Sequence, residues 1–185
     1  MKRSGFKGLV AAGIMATTLA STTSVVSASS DIFLKLTGVK GESTDSKHKD
    51  EIEVLSWSWG LSTGEAKVKR GTIAPKCIQD LTINKLTDSA SPQLIMNGVL
   101  GQAAKEGTLT MRKAGKEQQE FLIIKMNDVL VSSYQTGGAA GSDLNLTDSV
   151  TLSFSSISGQ YNTQKPDGSL GSPVFFQIDS TCPDK

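Results

Sequence analysis

E-I-E-V-L-S-W-S-W-G, residues Glu51–Gly60, holds both tryptophans of the chain. Trp57 and Trp59 lie two apart, so on an extended strand they share one face and Ser56 and Ser58 share the other. Two large rings on one face suit the core of a sheet, and Trp57 and Trp59 are the expected core anchors. Leu55 is in phase with them and is expected to extend their face backwards. Ile52 and Val54 are apolar in the opposite phase. That switch predicts a β-bulge near Val54–Leu55, or a strand whose start is buried on both faces. Gly60 ends the run with a residue that tolerates a turn.

The rest of the chain frames this strand. Its 185 residues allow one domain. Aromatics are sparse and glycines many, which suits a β-rich fold with many turns. Residues 1–28 read as a secretory signal peptide. Lys2, Arg3 and Lys7 form a basic start, Gly8–Ala20 is an apolar run too short to span a bilayer comfortably, and Val26-Ser27-Ala28 fits a small-residue cleavage site. Removing them takes away three basic residues and no acid, which leaves 16 basic against 18 acidic residues and a net charge of −2. Nothing in that balance favours nucleic acid. No further apolar run is long enough for a membrane span, so the domain spans residues 29–185 and its address is secreted or periplasmic. An exported chain with two cysteines, Cys77 and Cys182, permits a disulfide between them, and two free thiols remain the alternative.

In order, Asp31–Leu36 reads as a first strand and Gly38–Asp50 as a charged, turn-rich loop. Leu61–Lys76, after the tryptophan strand, reads as a long exposed loop. Ile78–Leu86 alternates, with Leu81 and Ile83 apolar. At Asp88–Pro92 a serine cap and a proline open the one convincing helix, with Leu94, Ile95 and Val99 at helical spacing and Gly98 or Gly101 to end it. Glu106–Arg112 and Gln118–Asn127 form a hairpin, and Val129–Thr136 reads as a separate strand. Thr147–Ser158 alternates through Val150, Leu152 and Phe154, Gln160–Gln164 continues or restarts it, and Val174–Ile178 comes last. The expected fold is mainly β: an antiparallel barrel of about eight strands, closed or nearly so, with one short flanking α-helix.

Catalytic chemistry is largely missing. His48, the only histidine, is the one candidate base. It sits between two lysines in a loop and reads as solvated. One histidine and two distant cysteines make no zinc pattern. The glycines of residues 137–141 lack the lysine and hydroxyl of a phosphate-binding loop. Acidic residues lack the spacing of a calcium loop. Lys67, Lys69, Arg70 and Lys76 have no interleaved aromatics and read as a solvated loop rather than a nucleic-acid patch. The expectation is no catalytic residue, no cofactor, no metal and no enzyme.

Several runs nevertheless resemble one family in one order. They are V-K-G-E-S at Val39–Ser43, E-I-E-V-L-S-W-S-W-G at Glu51–Gly60, Q-D-L-T-I-N-K at Gln79–Lys85, S-P-Q-L-I-M at Ser91–Met96, L-T-M-R-K-A-G at Leu109–Gly115, V-L-V-S-S-Y-Q-T-G-G at Val129–Gly138 and D-S-V-T-L-S-F at Asp148–Phe154. From Asp31 to about Ile178 the chain resembles the Hcp family, the tube protein of bacterial type VI secretion systems. The resemblance implies a non-enzymatic subunit of a hexameric ring. Such rings stack into a hollow tube that carries effector proteins and meets sheath and spike proteins. It also implies that Leu61–Lys76 reaches a neighbouring ring. Ser58, with Ser56 beside it, becomes the candidate for the lumen. Two features depart from the pattern: the export signal and the pair of cysteines. They leave open a second reading, an exported relative that binds or forms rings in the periplasm or outside the cell without building a tube.

Overall fold

The computed structural model describes residues 30–63, 76–113, 118–140, 146–165 and 169–179. The expected signal segment, most of the long loop and Cys182 lie outside them. Among the described residues eleven strands and one helix follow in the order β1 (Ser30–Leu36), β2 (Ile52–Glu53), β3 (Ser56–Ser58), β4 (Leu61–Thr63), β5 (Lys76–Ile78), β6 (Leu81–Leu86), α1 (Ser91–Leu100), β7 (Ala104–Lys113), β8 (Glu120–Gly137), β9 (Thr147–Ser153), β10 (Ser156–Gln164) and β11 (Leu170–Asp179). The fold is antiparallel β with one short helix, as the alternation predicts. The excess over eight strands comes from pieces of two or three residues, β2 to β5.

The strand order β2-β1-β7-β8-β9-β6-β3 bends into a barrel-like shape because two runs belong to two sheets each. The first is β8, an 18-residue strand where the sequence predicts two. Its first half pairs with β7 and β10, and its second half with β9. The turn between the halves is made at Asp128, whose φ of 50° bends the chain without ending the strand. Its carboxylate accepts the Ser155 hydroxyl at 2.7 Å. The second is the run Ile52–Ser58. Its start pairs with β1 and its end with β6, and the change of partner falls at Val54–Leu55, whose N–H groups donate to Ile32 and Asn84. The result is a large sheet (β2, β1, β7, first half of β8, β10, β11) facing a small one (second half of β8, β9, β6, β3).

That change of partner explains the phase switch of the sequence. Ile52 and Val54 point into the core, whereas Leu55 is 57% exposed and does not extend the tryptophan face. Two consecutive outward residues, Leu55 and Ser56, reset the alternation so that Trp57 turns inward again. The core itself is built from β-face residues of both sheets, among them Leu34, Ile52, Leu81, Ile83, Leu109, Ile124, Val150 and Leu152.

Helix α1 seals one side of the barrel through Leu94 and Ala90. Its cap is not the serine expected: Ala90 occupies the N-cap, and the Asp88 carboxylate accepts the Ala90 N–H at 3.0 Å. Gly101 ends the helix with φ 62°. Ile95 and Val99 are exposed, because only the Leu94 side faces the sheet.

Below the helix start lies a buried polar network. Lys85 continues the inward phase of Leu81 and Ile83, so its ammonium ends inside the protein. There it donates to Asp148 at 3.0 Å and Ser91 at 2.9 Å, and lies 2.7 Å from the Asp88 carboxylate. Ser91 and Thr87 also donate to Asp148. Burial raises the Asp148 pKa, but the donated hydrogen bonds of Ser91, Tyr134, Lys85 and Thr87 outweigh it and hold the group well below the usual carboxylate range. Burial, followed by the Asp148 carboxylate, pushes the Tyr134 hydroxyl up to about 12.

Candidate assembly surfaces

The serines of the tryptophan strand point away from the core. Ser56 and Ser58 are exposed, and Trp57 on the opposite face is half-buried against the core. The Trp57 indole N–H donates to the Met111 sulfur at 3.0 Å. Trp59, also half-buried, stacks on Phe176 with ring centroids 5.8 Å apart.

The ladders show which residues accompany the two serines. Ser56 is opposite Asn84 and Ser58 opposite Thr82. These in turn face Ser149 and Thr151 on β9. Asn84 donates to the Ser56 hydroxyl at 3.0 Å, and the hydroxyls of Thr82 and Thr151 are 3.2 Å apart. The outer side of the small sheet therefore carries hydroxyls and amides and no charge at these six positions. Sequence reading stopped at Ser56 and Ser58. The signal for the other four was available in the alternation of Leu81-Thr82-Ile83-Asn84 and Ser149-Val150-Thr151-Leu152.

His48 is not solvated. It is 6% exposed and stacks face to face on Phe33, with ring centroids 4.3 Å apart. Its Nδ1 lies 2.9 Å from Glu51 and its Nε2 3.6 Å from Glu120. The Arg112 guanidinium lies 4.8 Å from the centroid of the same Phe33 ring and pairs with Asp31 and Asp45 at 3.1 and 2.6 Å. That bond, helped by the Lys47 N–H, holds the Asp45 carboxyl well below its ordinary range. The cluster fixes the loop before the tryptophan strand onto β1 and β7. A pocket opens beside it, lined by Asp31, Phe33, Asp45 and Arg112 among others, and His48 is not in its lining. Among the described residues no group of three or more His, Cys, Asp or Glu side chains is placed to hold a metal ion, and no helix is long and apolar enough to cross a membrane.

The long loop leaves the barrel as a two-stranded ladder, β4 with β5, in which Ser62 pairs with Cys77. Its base is thus a hairpin rather than open loop. Residues 64–75 lie outside the described residues, as does Cys182, the expected partner of Cys77.

Comparison with known proteins gives one consistent answer. Residues 33–161 match the family described as "Type VI secretion system effector, Hcp". The chain is 46% identical over 150 residues to Protein hcp1 of Pseudomonas aeruginosa, which covers 79% of this chain and 92% of that one. Among solved structures, Hcp1 from Salmonella typhimurium aligns with a TM-score of 0.69 at 32% identity, covering 82% of this chain and 95% of that one. A structure described only as that of a type six secretion system protein aligns at 0.72 and 31%, with coverage of 79% and 92%.

Proposed function

The chain belongs to the Hcp family of type VI secretion system proteins, and on that premise we propose that six mature copies close into a ring whose bore is lined by the small sheet. The observation that supports this orientation is the uncharged outer face of Ser56, Ser58 and Asn84, which are exposed, and Thr82, Ser149 and Thr151, which are half-buried, on a sheet whose other side is core. Such a face offers hydrogen bonds without fixed charge, so it makes water-mediated contact with many protein surfaces and strong contact with none. Stacked rings would form a tube that carries effector proteins and meets sheath and spike proteins at its outside and tip. The role is structural rather than enzymatic.

Size-exclusion chromatography with light scattering is the test. Wild-type mature protein at tens of micromolar is expected at the mass of a hexamer. Ser58→Gln is expected to keep that mass, to change stability by no more than about 0.5 kcal/mol, and to alter which cargo co-purifies. A wild-type monomer would sink the ring reading and favour the exported binding protein. A Ser58→Gln subunit as unstable as a core variant would show that the two faces are reversed.

The export reading has its own measurement. The intact mass of protein recovered from periplasm or medium is expected to begin at Ser29 and to be two hydrogens light, from a Cys77–Cys182 disulfide. That bond closes a loop of about 100 residues, for which the chain-entropy model gives roughly 4–5 kcal/mol. A full-length mass defeats the signal peptide, and labelling of two thiols in unreduced, denatured protein defeats the disulfide.

A further inference from the structure

The outward positions of β3, β6, β9 and the second half of β8 carry no charged side chain. One carboxylate stands at the margin of this neutral face. Asp80 comes immediately before Leu81, which points into the core, and so falls on the outward side with Thr82. It is exposed, as a carboxylate on that side should be.

The fold fixes its direction. The β8–β9 register slips by one between Val131 and Ser133, which makes Ser132 the extra residue of a bulge. Ser132 and Ser133 are both exposed, and Ser133 stands opposite Thr151 on the outward side. Bulges re-aim side chains, and this one carries the Ser132 hydroxyl over β9, the strand between β8 and β6. There the hydroxyl donates to Asp80 Oδ2 at 2.6 Å, a short charge-assisted bond, with the Thr151 carbonyl oxygen 3.3 Å away. A carboxylate accepts about four hydrogen bonds, so the one from Ser132 leaves capacity for a ligand.

We propose that Asp80 selects cargo by charge, pairing with lysine or arginine side chains of an effector segment inside the bore. The inference rests on the reading of the small sheet as the bore lining and adds the class of contents it favours. Ring symmetry turns one anchored carboxylate per copy into a belt of six at one level of the bore. The neutral rows beside it hold no lysine or arginine to satisfy it, so its field acts on whatever enters. Ser132 orients the carboxylate before cargo arrives, which suits the two-pronged guanidinium of arginine. The hydroxyls and amides tolerate many sequences, whereas Asp80 disfavours acidic segments through like-charge repulsion.

The test uses the mature protein and two dye-labelled probes, octa-arginine and octa-glutamate, read by fluorescence anisotropy at low salt, where screening is weakest. Wild type is expected to bind octa-arginine and to ignore octa-glutamate. Asp80→Asn can still accept the Ser132 hydrogen bond, so it is expected to fold and to bind octa-arginine about tenfold more weakly. Glu106→Gln removes an exposed charge from β7 of the large sheet and is expected to stay within about twofold of wild type, which controls for overall charge. If Asp80→Asn fails to fold, Ser58→Arg replaces it: a cation on the same exposed face is expected to weaken octa-arginine binding as much. A wild-type ring whose Asp80→Asn variant binds like wild type, or loses no more than Glu106→Gln, overturns the role of Asp80 and leaves the ring standing. So does a wild-type ring that binds both probes alike. A wild-type monomer overturns the bore and this inference together.

Discussion

Asp148→Ala is expected to lower the unfolding free energy by about 3 kcal/mol, because it removes the fully buried carboxylate of the Lys85 ammonium and leaves Asp88 as its one ion-pair partner. Lys85 has no exposed surface, so water cannot replace the lost carboxylate. Asp88 remains, but it lies toward the surface and caps the turn before α1. The double variant Lys85→Met with Asp148→Leu is expected to recover most of the loss, since replacing both partners removes the uncompensated charge. The wild-type network also has a pH signature. The folded pKa of Asp148 lies below its unfolded value of about 3.9, so its contribution is present above roughly pH 4 and is lost as pH falls through the folded value. Urea denaturation at neutral and acid pH measures both effects. A single variant within about 1 kcal/mol of wild type would show that the pair contributes nothing beyond its desolvation cost.

Trp57→Ala is expected to cost about 3 kcal/mol, the lower end for a tryptophan truncation because the ring is half-buried. The loss combines the ring's contacts with the core and its N–H to sulfur contact with Met111. For a domain of this size that is a fall in melting temperature of roughly 6–12 °C. The neighbouring Ser58→Gln changes the opposite face and is expected to shift the melt by only a degree or two, at about 2–4 °C per kcal/mol. Differential scanning calorimetry of the two variants compares them directly. Equal shifts would mean that the strand presents its faces differently from the ladder described here.

What the sequence made legible was local. The alternation of Trp57 and Ser58 placed the rings inward and the hydroxyls outward, and the apolar phases of β6 and β9 identified two further strands. What it hid depends on residues far away in the chain. The reversal at Val54–Leu55 looks like a bulge until β1 and β6 are known to be successive partners of one run. His48 looks solvated between Lys47 and Lys49, since its ring partner Phe33 comes from β1 and the carboxylate beyond it from Glu120. Lys85 did leave a trace, in phase with Leu81 and Ile83, but a lysine in that phase is buried only because Asp148 and Ser91 are waiting there. The split of β8 into two expected strands has the same origin: Asp128 resembles a turn residue, and only ladders on both sides show that the strand continues.

The registers also set a clock. Ser30 pairs with Lys113, Leu36 with Gly107, and Leu81 with Leu152. The β1–β7 and β6–β9 ladders thus join segments distant in sequence, and such closures are slow because the chain must find them before any contact rewards it. During synthesis β1 has only the two residues of β2 to pair with until β7 has been made, and β6 lacks β9 until the last third of the chain emerges. Until then the ladders that hold β1 and β6 in the sheets are missing, and the domain is incomplete for most of the chain's birth. That interval suits passage of an extended chain through a narrow channel before the domain exists to block it.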